Sequence, residues 1–204
     1  MGSPSKNMES DIIIEMIEIY INAILYKRKL YPEAVFRVRK AYNIPVYISV
    51  YESLNSYIAK TLQTARELNR MRKLHRLAVV ILSKDTQPLE RYVFELDHRG
   101  FALENDEHLI NFEEELRKSL LSLDSRMKDL TPLPDQKEAT FKISLQCTES
   151  ASAHIASQPR LSSFAFVRDE THSETEVEKS KIELLPVVHT KNVGINIFVE
   201  EHKR

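Results

Sequence analysis

From Ile12 to Tyr26 nearly every position is apolar, and Glu15, Glu18 and Asn22 interrupt the run along one narrow stripe. A helix that is apolar over most of its circumference belongs in the middle of a domain. Ser10 reads as its N-cap, and Asp11 is well placed against the helix dipole. Tyr31-Pro32 ends this region, and Tyr42-Asn-Ile-Pro45 marks an extended turn, because proline biases its predecessor out of the helical basin. The spacing of Leu54, Ile58, Leu62, Ala65 and Leu68 predicts a second helix over about Glu52 to Leu68. Leu77-Ala-Val-Val-Ile-Leu82 is apolar without alternation, as a strand covered on both faces would be. After a polar turn, Tyr92, Phe94 and Leu96 share one face, so the two runs read as a hairpin. A third helix is predicted from Asp106 to Leu123, with Leu109, Phe112, Leu116, Leu120 and Leu123 inward. The cleanest strand follows: Phe141, Ile143, Leu145 and Cys147 alternate with Lys142, Ser144 and Gln146.

From Thr148 to Lys181 the composition turns to Ser, Thr, Glu and His, relieved by one apolar knot, Phe164-Ala-Phe-Val167. Such a stretch buries too little apolar surface to hold itself in place. Strand-like patterning returns in Ile182 to Val188 and in Ile195 to Val199. A structureless segment of this length inside a compact domain is commonly functional. Segregated helices and mainly antiparallel strands make the fold α+β. The expected organisation is residues 1–9 as a disordered tail or appended remnant, 10–147 as the core, and 148–201 as a polar segment with terminal strands.

Composition narrows the function chiefly by exclusion. A formal charge of −1 lacks the basic excess with which proteins displace counterions from a nucleic acid backbone, so no direct nucleic-acid contact is expected. The run from Arg70 to Arg76 reads as a solvated helix end, with a phosphate patch as the alternative. The single cysteine, Cys147, favours a reducing compartment and reads as a small buried hydrophobe. Three glycines cannot build a phosphate-cradling loop, and no stretch reaches the length of a membrane span. The seven histidines are scattered, no nucleophile elbow occurs, and Glu113-Glu-Glu115 reads as a solvated helix face. No cofactor or metal is called for, and an enzyme is disfavoured.

Several stretches carry a family resemblance. Ile24 to Phe36, then Lys40-Ala-Tyr-Asn-Ile-Pro-Val46, resemble the opening of HORMA domains. Glu52-Ser-Leu-Asn-Ser-Tyr-Ile58, Val79 to Leu82 and Glu90 to Glu95 continue the resemblance in order, and Leu184-Leu-Pro186 and Ile197 to Glu201 close it. It covers about residues 10 to 201. The Tyr-Asn-x-Pro-Val turn, the Leu-x-x-Tyr-Ile helix start and the Val-Glu-Glu ending look most like the branch that serves as accessory subunit of translesion DNA polymerase zeta. The spindle-assembly-checkpoint branch is the alternative.

The resemblance implies three helices on a mainly antiparallel sheet, with the C-terminal part acting as a safety belt over a captured peptide. It implies a nuclear adaptor (also cytoplasmic, if less so) in DNA damage tolerance. Its partners would be a proline-containing peptide of the polymerase zeta catalytic subunit and the C-terminal domain of a scaffold translesion polymerase. It further implies pairing with another HORMA domain and remodelling by an AAA+ ATPase. Phe141, Ile143 and Leu145 would lie on the receiving strand. Tyr57 and Tyr31 would pack on the prolines of the peptide, with ordinary helix packing as the plain alternative. The belt tryptophan of vertebrate relatives is absent, since this chain has no Trp, and Phe164 or Phe166 would replace it. Leu184, Asn196 and Phe198 fall where the family docks the second polymerase, Asn and Phe standing where vertebrates have Gln and Tyr. Arg117 aligns with an arginine used in HORMA pairing, its plain alternative being an exposed helix charge.

Overall fold

The computed structural model describes residues 4–97, 106–133, 138–158, 166, 180–184, 188–190 and 193–202. The order begins with α1 (Pro4–Lys27), a 3₁₀ turn (Glu33–Val35), β1 (Phe36–Ala41), β2 (Ile44–Ser49), α2 (Glu52–Arg70), β3 (Leu74–Leu82) and β4 (Pro88–Asp97). It continues with α3 (Asp106–Asp129), β5 (Thr140–Cys147), α4 (Glu149–Ser157), β6 (Ser180–Leu184), β7 (Val188–Thr190) and β8 (Val193–His202). This is the expected α+β arrangement, with a fourth helix beside the three predicted.

Helix α1 is central, as its pattern requires. Ile14, Met16, Ile17, Tyr20, Ile21, Ile24 and Leu25 are all buried, and the helix packs against α2, α3 and β2. It starts at Pro4, so residues 4–9 are helical rather than a tail. Ser10 consequently lies inside the helix and is no N-cap. Its buried hydroxyl donates to the Arg66 carbonyl at 3.3 Å and accepts from Asn69 Nδ2 at 3.1 Å. The polar stripe is also only partly wet: Glu15 and Glu18 are exposed, but Asn22 is buried. Its Oδ1 accepts the Ser49 N–H at 2.9 Å and ties β2 to the helix.

The region from Phe36 to Ser49 is a two-stranded hairpin, where the sequence suggested only a turn. Tyr42 and Asn43 form its two-residue loop with φ of 49° and 61°, the positive values that match the twist of paired strands.

The main sheet runs β5-β3-β4-β8-β6, with β7 also paired to β8. All described pairings are antiparallel. Central β3 is buried on both faces from Leu77 to Ile81, as its unbroken apolar run predicts. Leu77, Val79, Ile81, Tyr92, Phe94, Ile143, Ile195, Ile197 and Val199 belong to the core shared with the helices. Ala78, Val80 and Val93 form a small cluster apart from that core, joined by Leu82 and Phe198. From α3, Leu116, Leu120, Leu123 and Met127 enter the core, while the side chains of Leu109 and Phe112 lie outside the described set.

The start of the polar segment, residues 148–158, is not irregular. Thr148 caps α4 by accepting from the Ala151 N–H, and Ala151 and Ile155 bury their side chains against the core. Two apolar residues at i and i+4, with a cap, suffice to seat this one short helix.

Candidate functional site: an open sheet edge beside an aromatic cluster

The sheet order decides where a partner strand could add. The terminal strand β8 pairs with β4, from Glu90↔Glu201 to Asp97↔Gly194. Strand β5 pairs with β3 on one side, and among the described residues no strand lies along its other side. The Ile143 N–H does not go to β3: it donates to the Tyr57 hydroxyl at 3.0 Å. Antiparallel pairing alternates which residues address the neighbouring strand. Phe141, Ile143 and Leu145 therefore present their backbone groups to the open edge, while Lys142, Ser144 and Gln146 are the residues that bond to β3. A continuous row of backbone donors and acceptors at an edge is a template for another strand.

Aromatic rings gather at the N-terminal end of this edge. Phe141 meets Tyr57 edge-on, with centroids 5.6 Å apart at 82°, and Tyr31 at 6.2 Å and 79°. Tyr31 in turn lies 6.4 Å from Tyr51. Tyr31 comes from the turn after α1, Tyr51 from the residue before α2, and Tyr57 from the second turn of α2. Phe141 and Tyr57 are half-buried, whereas Tyr51 is 48% exposed and the adjoining Val50 51%. Burial pushes the Tyr57 hydroxyl above the ordinary tyrosine value, against the lowering effect of the Ile143 N–H. Tyr31 is pushed up by burial too, with the nearby Tyr51 and Tyr57 adding to it. These hydroxyls stay protonated at neutral pH, able both to donate and to accept.

The structure thus brings together Tyr31, Tyr57, Phe141 and Ile143, with Leu145 further along the same edge. Tyr51 was missed by sequence reasoning. Its signal was an aromatic side chain beside Val50, just ahead of the α2 face that does the packing. Phe164 lies outside the described residues, and Phe166 is described as exposed.

The second expected surface also has a geometric basis. In the register of β6 with β8, Leu184 stands directly across from Phe198. Asn196 is two positions along β8, hence on the same face. Ile195, Ile197 and Val199 are buried on the opposite face. Asn196 Nδ2 donates to Glu95 Oε2 at 3.2 Å. Phe198 is half-buried against the Ala78, Val80 and Val93 cluster, because Val93 of β4 is its cross-strand neighbour. Arg117 on α3 is half-buried. Ile110 and Leu121, on the same helical stripe, are 58% and 66% exposed.

The HORMA domain family model matches residues 10–156. A Drosophila melanogaster protein named DNA polymerase zeta subunit 2 is 29% identical over 192 residues, covering 94% of this chain and 96% of its own. A human protein named mitotic spindle assembly checkpoint protein MAD2B is 27% identical, covering 94% and 90%. Among solved structures, a chain of the mitotic checkpoint complex superposes with a TM-score of 0.75 at 20% identity, covering 96% of this chain and 99% of its own. Caenorhabditis elegans HTP-2 bound to the HIM-3 closure motif gives a TM-score of 0.69 at 16% identity, covering 98% and 93%. The chain belongs to the HORMA domain family.

Proposed function

We propose that this protein is a non-catalytic adaptor subunit of DNA polymerase zeta that captures a proline-containing peptide of the catalytic subunit along β5. The observation that carries the reading is the open β5 edge with Tyr31, Tyr51, Tyr57 and Phe141 at one end. Strand addition draws its affinity from backbone hydrogen bonds and its selectivity from side-chain pockets. Aromatic faces at such an edge suit proline, which is rigid and exposes an apolar ring. Residues 148–199 act as the belt over the bound peptide, and enclosure slows release because the belt must open first. The Drosophila relative's name supports the polymerase assignment.

The same adaptor bridges to the C-terminal domain of a second translesion polymerase through Leu184, Asn196 and Phe198. It works in the nucleus, pairs with other HORMA domains through the stripe around Arg117, and is opened by an AAA+ ATPase. A spindle-checkpoint role is the second reading, favoured by the name of the human relative.

Isothermal titration calorimetry with a proline-containing peptide of the catalytic subunit tests the first reading. Tyr57→Ala should cost on the order of 2 kcal/mol of binding, as a buried aromatic anchor does. Unchanged affinity would remove Tyr57 from the site. Recovery of checkpoint proteins from native cells, with no polymerase subunit among them, would replace the polymerase reading by the checkpoint one.

A further inference from the structure

We infer that the outer edge of β1 binds an acidic, extended segment of a partner protein, which adds as a third strand to the β1–β2 hairpin. The inference starts from how charge is laid out there. From Ala34 to Tyr51 the chain has three cations, Arg37, Arg39 and Lys40, and no Asp or Glu, in a protein whose formal charge is −1. All three lie on β1, whereas β2 carries no charged residue. Many cations elsewhere are matched, as Arg28 is by Glu90, Arg76 by Glu95, Lys84 by Glu138 and Arg91 by Glu200. Arg39 and Lys40 are exposed and make no hydrogen bond or ion pair among the described residues. The Arg37 guanidinium donates to the Ala34 and Phe36 carbonyls at 2.9 and 3.0 Å, so no carboxylate answers it either.

The backbone at this edge is also unmatched. Among the described residues β1 pairs with β2 alone. The Val50 N–H donates to the Val35 carbonyl at 2.8 Å, which puts Val35, Arg37 and Arg39 in the positions bonded to β2. Phe36, Val38 and Lys40 therefore turn their backbone groups outward. The Phe36 N–H is taken by the Glu33 carbonyl, and its own carbonyl by Arg37. Val38 and Lys40 remain as the open part of the edge. The Val38 side chain is 61% exposed, and a cation stands on either side of it along the strand.

Three occupants compete for such an edge. A second copy of β1 would set like charges against each other, which is unfavourable for cross-strand neighbours. A nucleic acid backbone would answer the cations but would use neither the Val38 side chain nor the open N–H and carbonyl groups. An acidic strand uses all of them. Its backbone bonds to Val38 and Lys40, its carboxylates face Lys40, Arg39 and Arg37, and an apolar residue lies beside Val38. Run antiparallel to β1, the matching order is Glu-Glu-Val-Glu. The cations that keep a bare edge from pairing indiscriminately thus select the strand that can pair.

The test titrates the full chain with the end-blocked peptide Thr-Thr-Glu-Glu-Val-Glu-Thr-Thr and follows amide signals by NMR. At saturation, exchange of the Val38 and Lys40 amides should slow by about fivefold or more, while β5 is unchanged. Arg39→Glu combined with Lys40→Glu should weaken binding by about tenfold. Both positions are exposed, and unaltered exchange in β3 would confirm that the variant is folded. A peptide of the same composition with valine moved to one end should bind less well and leave Val38 unprotected. Equal binding of the two peptides, with no protection at Val38, would overturn the inference, since the cations would then attract charge without pairing a strand. No binding of either peptide would also overturn it, leaving the charges as protection of a bare edge. Tighter binding of short duplex DNA than of the peptide, or a dimer that dissociates in the double variant, would reassign the edge to nucleic acid or to a second copy.

Discussion

Arg28 at the end of α1 and Glu90 near the start of β4 form an ion pair with both side chains buried, Nε to Oε2 at 2.9 Å. The second guanidinium nitrogen reaches Oε1, and it also donates to the Thr131 carbonyl at 2.7 Å. Tyr92 donates to Glu90 Oε2 at 2.8 Å. The Thr131 N–H, in turn, donates to Glu201 of β8 at 3.1 Å. One charged group thus joins the central helix, the sheet and the segment after α3, and the last link reaches the terminal strand. The network thereby ties the end of the central helix to β8, the strand that pairs with β4 rather than with β5.

Removing only one partner of that pair should be far worse than removing both. Arg28→Ala strands a carboxylate that burial already pushes above its ordinary value, and should cost about 3–5 kcal/mol in urea denaturation. Replacing Arg28 and Glu90 together by methionine should cost much less, because no uncompensated charge remains. Equal losses in the single and double variants would show that packing, not charge pairing, is what these positions supply.

Much of the fold was legible because its elements announce themselves locally. The unbroken apolar run of β3, the alternation of β5 and the helical spacing of α2 all translate directly into their burial. What was not legible depends on pairing across long sequence separations. Nothing in Phe141 to Cys147 says which of its edges is covered. That follows from β8 docking on β4, about a hundred residues away in sequence. The β1–β2 hairpin escaped because Arg37, Val38, Arg39 and Lys40 are all exposed and leave no alternation to read. Asn22 looked like one more wet position on a stripe, yet it is the group that receives Ser49. The candidate site was half visible: Tyr57 and Tyr31 came from family resemblance, whereas Tyr51 and the bond to Ile143 needed coordinates.

Asn22 offers a sharp test of that reading. Asn22→Ala leaves the Ser49 N–H buried without its acceptor, and should cost about 1–3 kcal/mol. Amide exchange should quicken at Ser49 and through β2 before it changes in β3. Exchange altered uniformly across the domain would mean that the bond stabilises the whole fold and does not specifically anchor the hairpin.

Stability should fall at high pH. Burial pushes the hydroxyls of Tyr20, Tyr57 and Tyr92 above the ordinary tyrosine value of 10.0, and Glu90 beside Tyr92 adds to its shift. The folded protein therefore holds these protons more tightly than the unfolded chain does. Their contribution is fully present below pH 10.0 and is lost as pH rises above it. Tyr20→Phe removes one such group, along with its bond to Ser119. It should lower stability by about 1 kcal/mol at neutral pH and lessen the alkaline decline. An alkaline slope equal to that of wild type would show that Tyr20 does not contribute to it.

Phe198 offers a test that separates the proposed second-polymerase contact from the proposed peptide capture. It stands across from Leu184 on one side and Val93 on the other, half-buried on the face away from the helices. The open β5 edge lies at the far end of the sheet from β6, so the two sites should fail independently. Phe198→Ala should weaken binding of the second polymerase's C-terminal domain by about 2 kcal/mol, the loss typical of an aromatic anchor, while peptide affinity stays within about twofold. Because the side chain also packs on Val80 and Val93, some loss of stability will accompany it. Phe198→Leu keeps most of that packing and should still lose the aromatic contact, so binding that follows the ring, with a folded protein in both cases, identifies Phe198 as part of the interface. Full binding by Phe198→Leu, with the loss confined to Phe198→Ala, would assign the residue to the small apolar cluster alone.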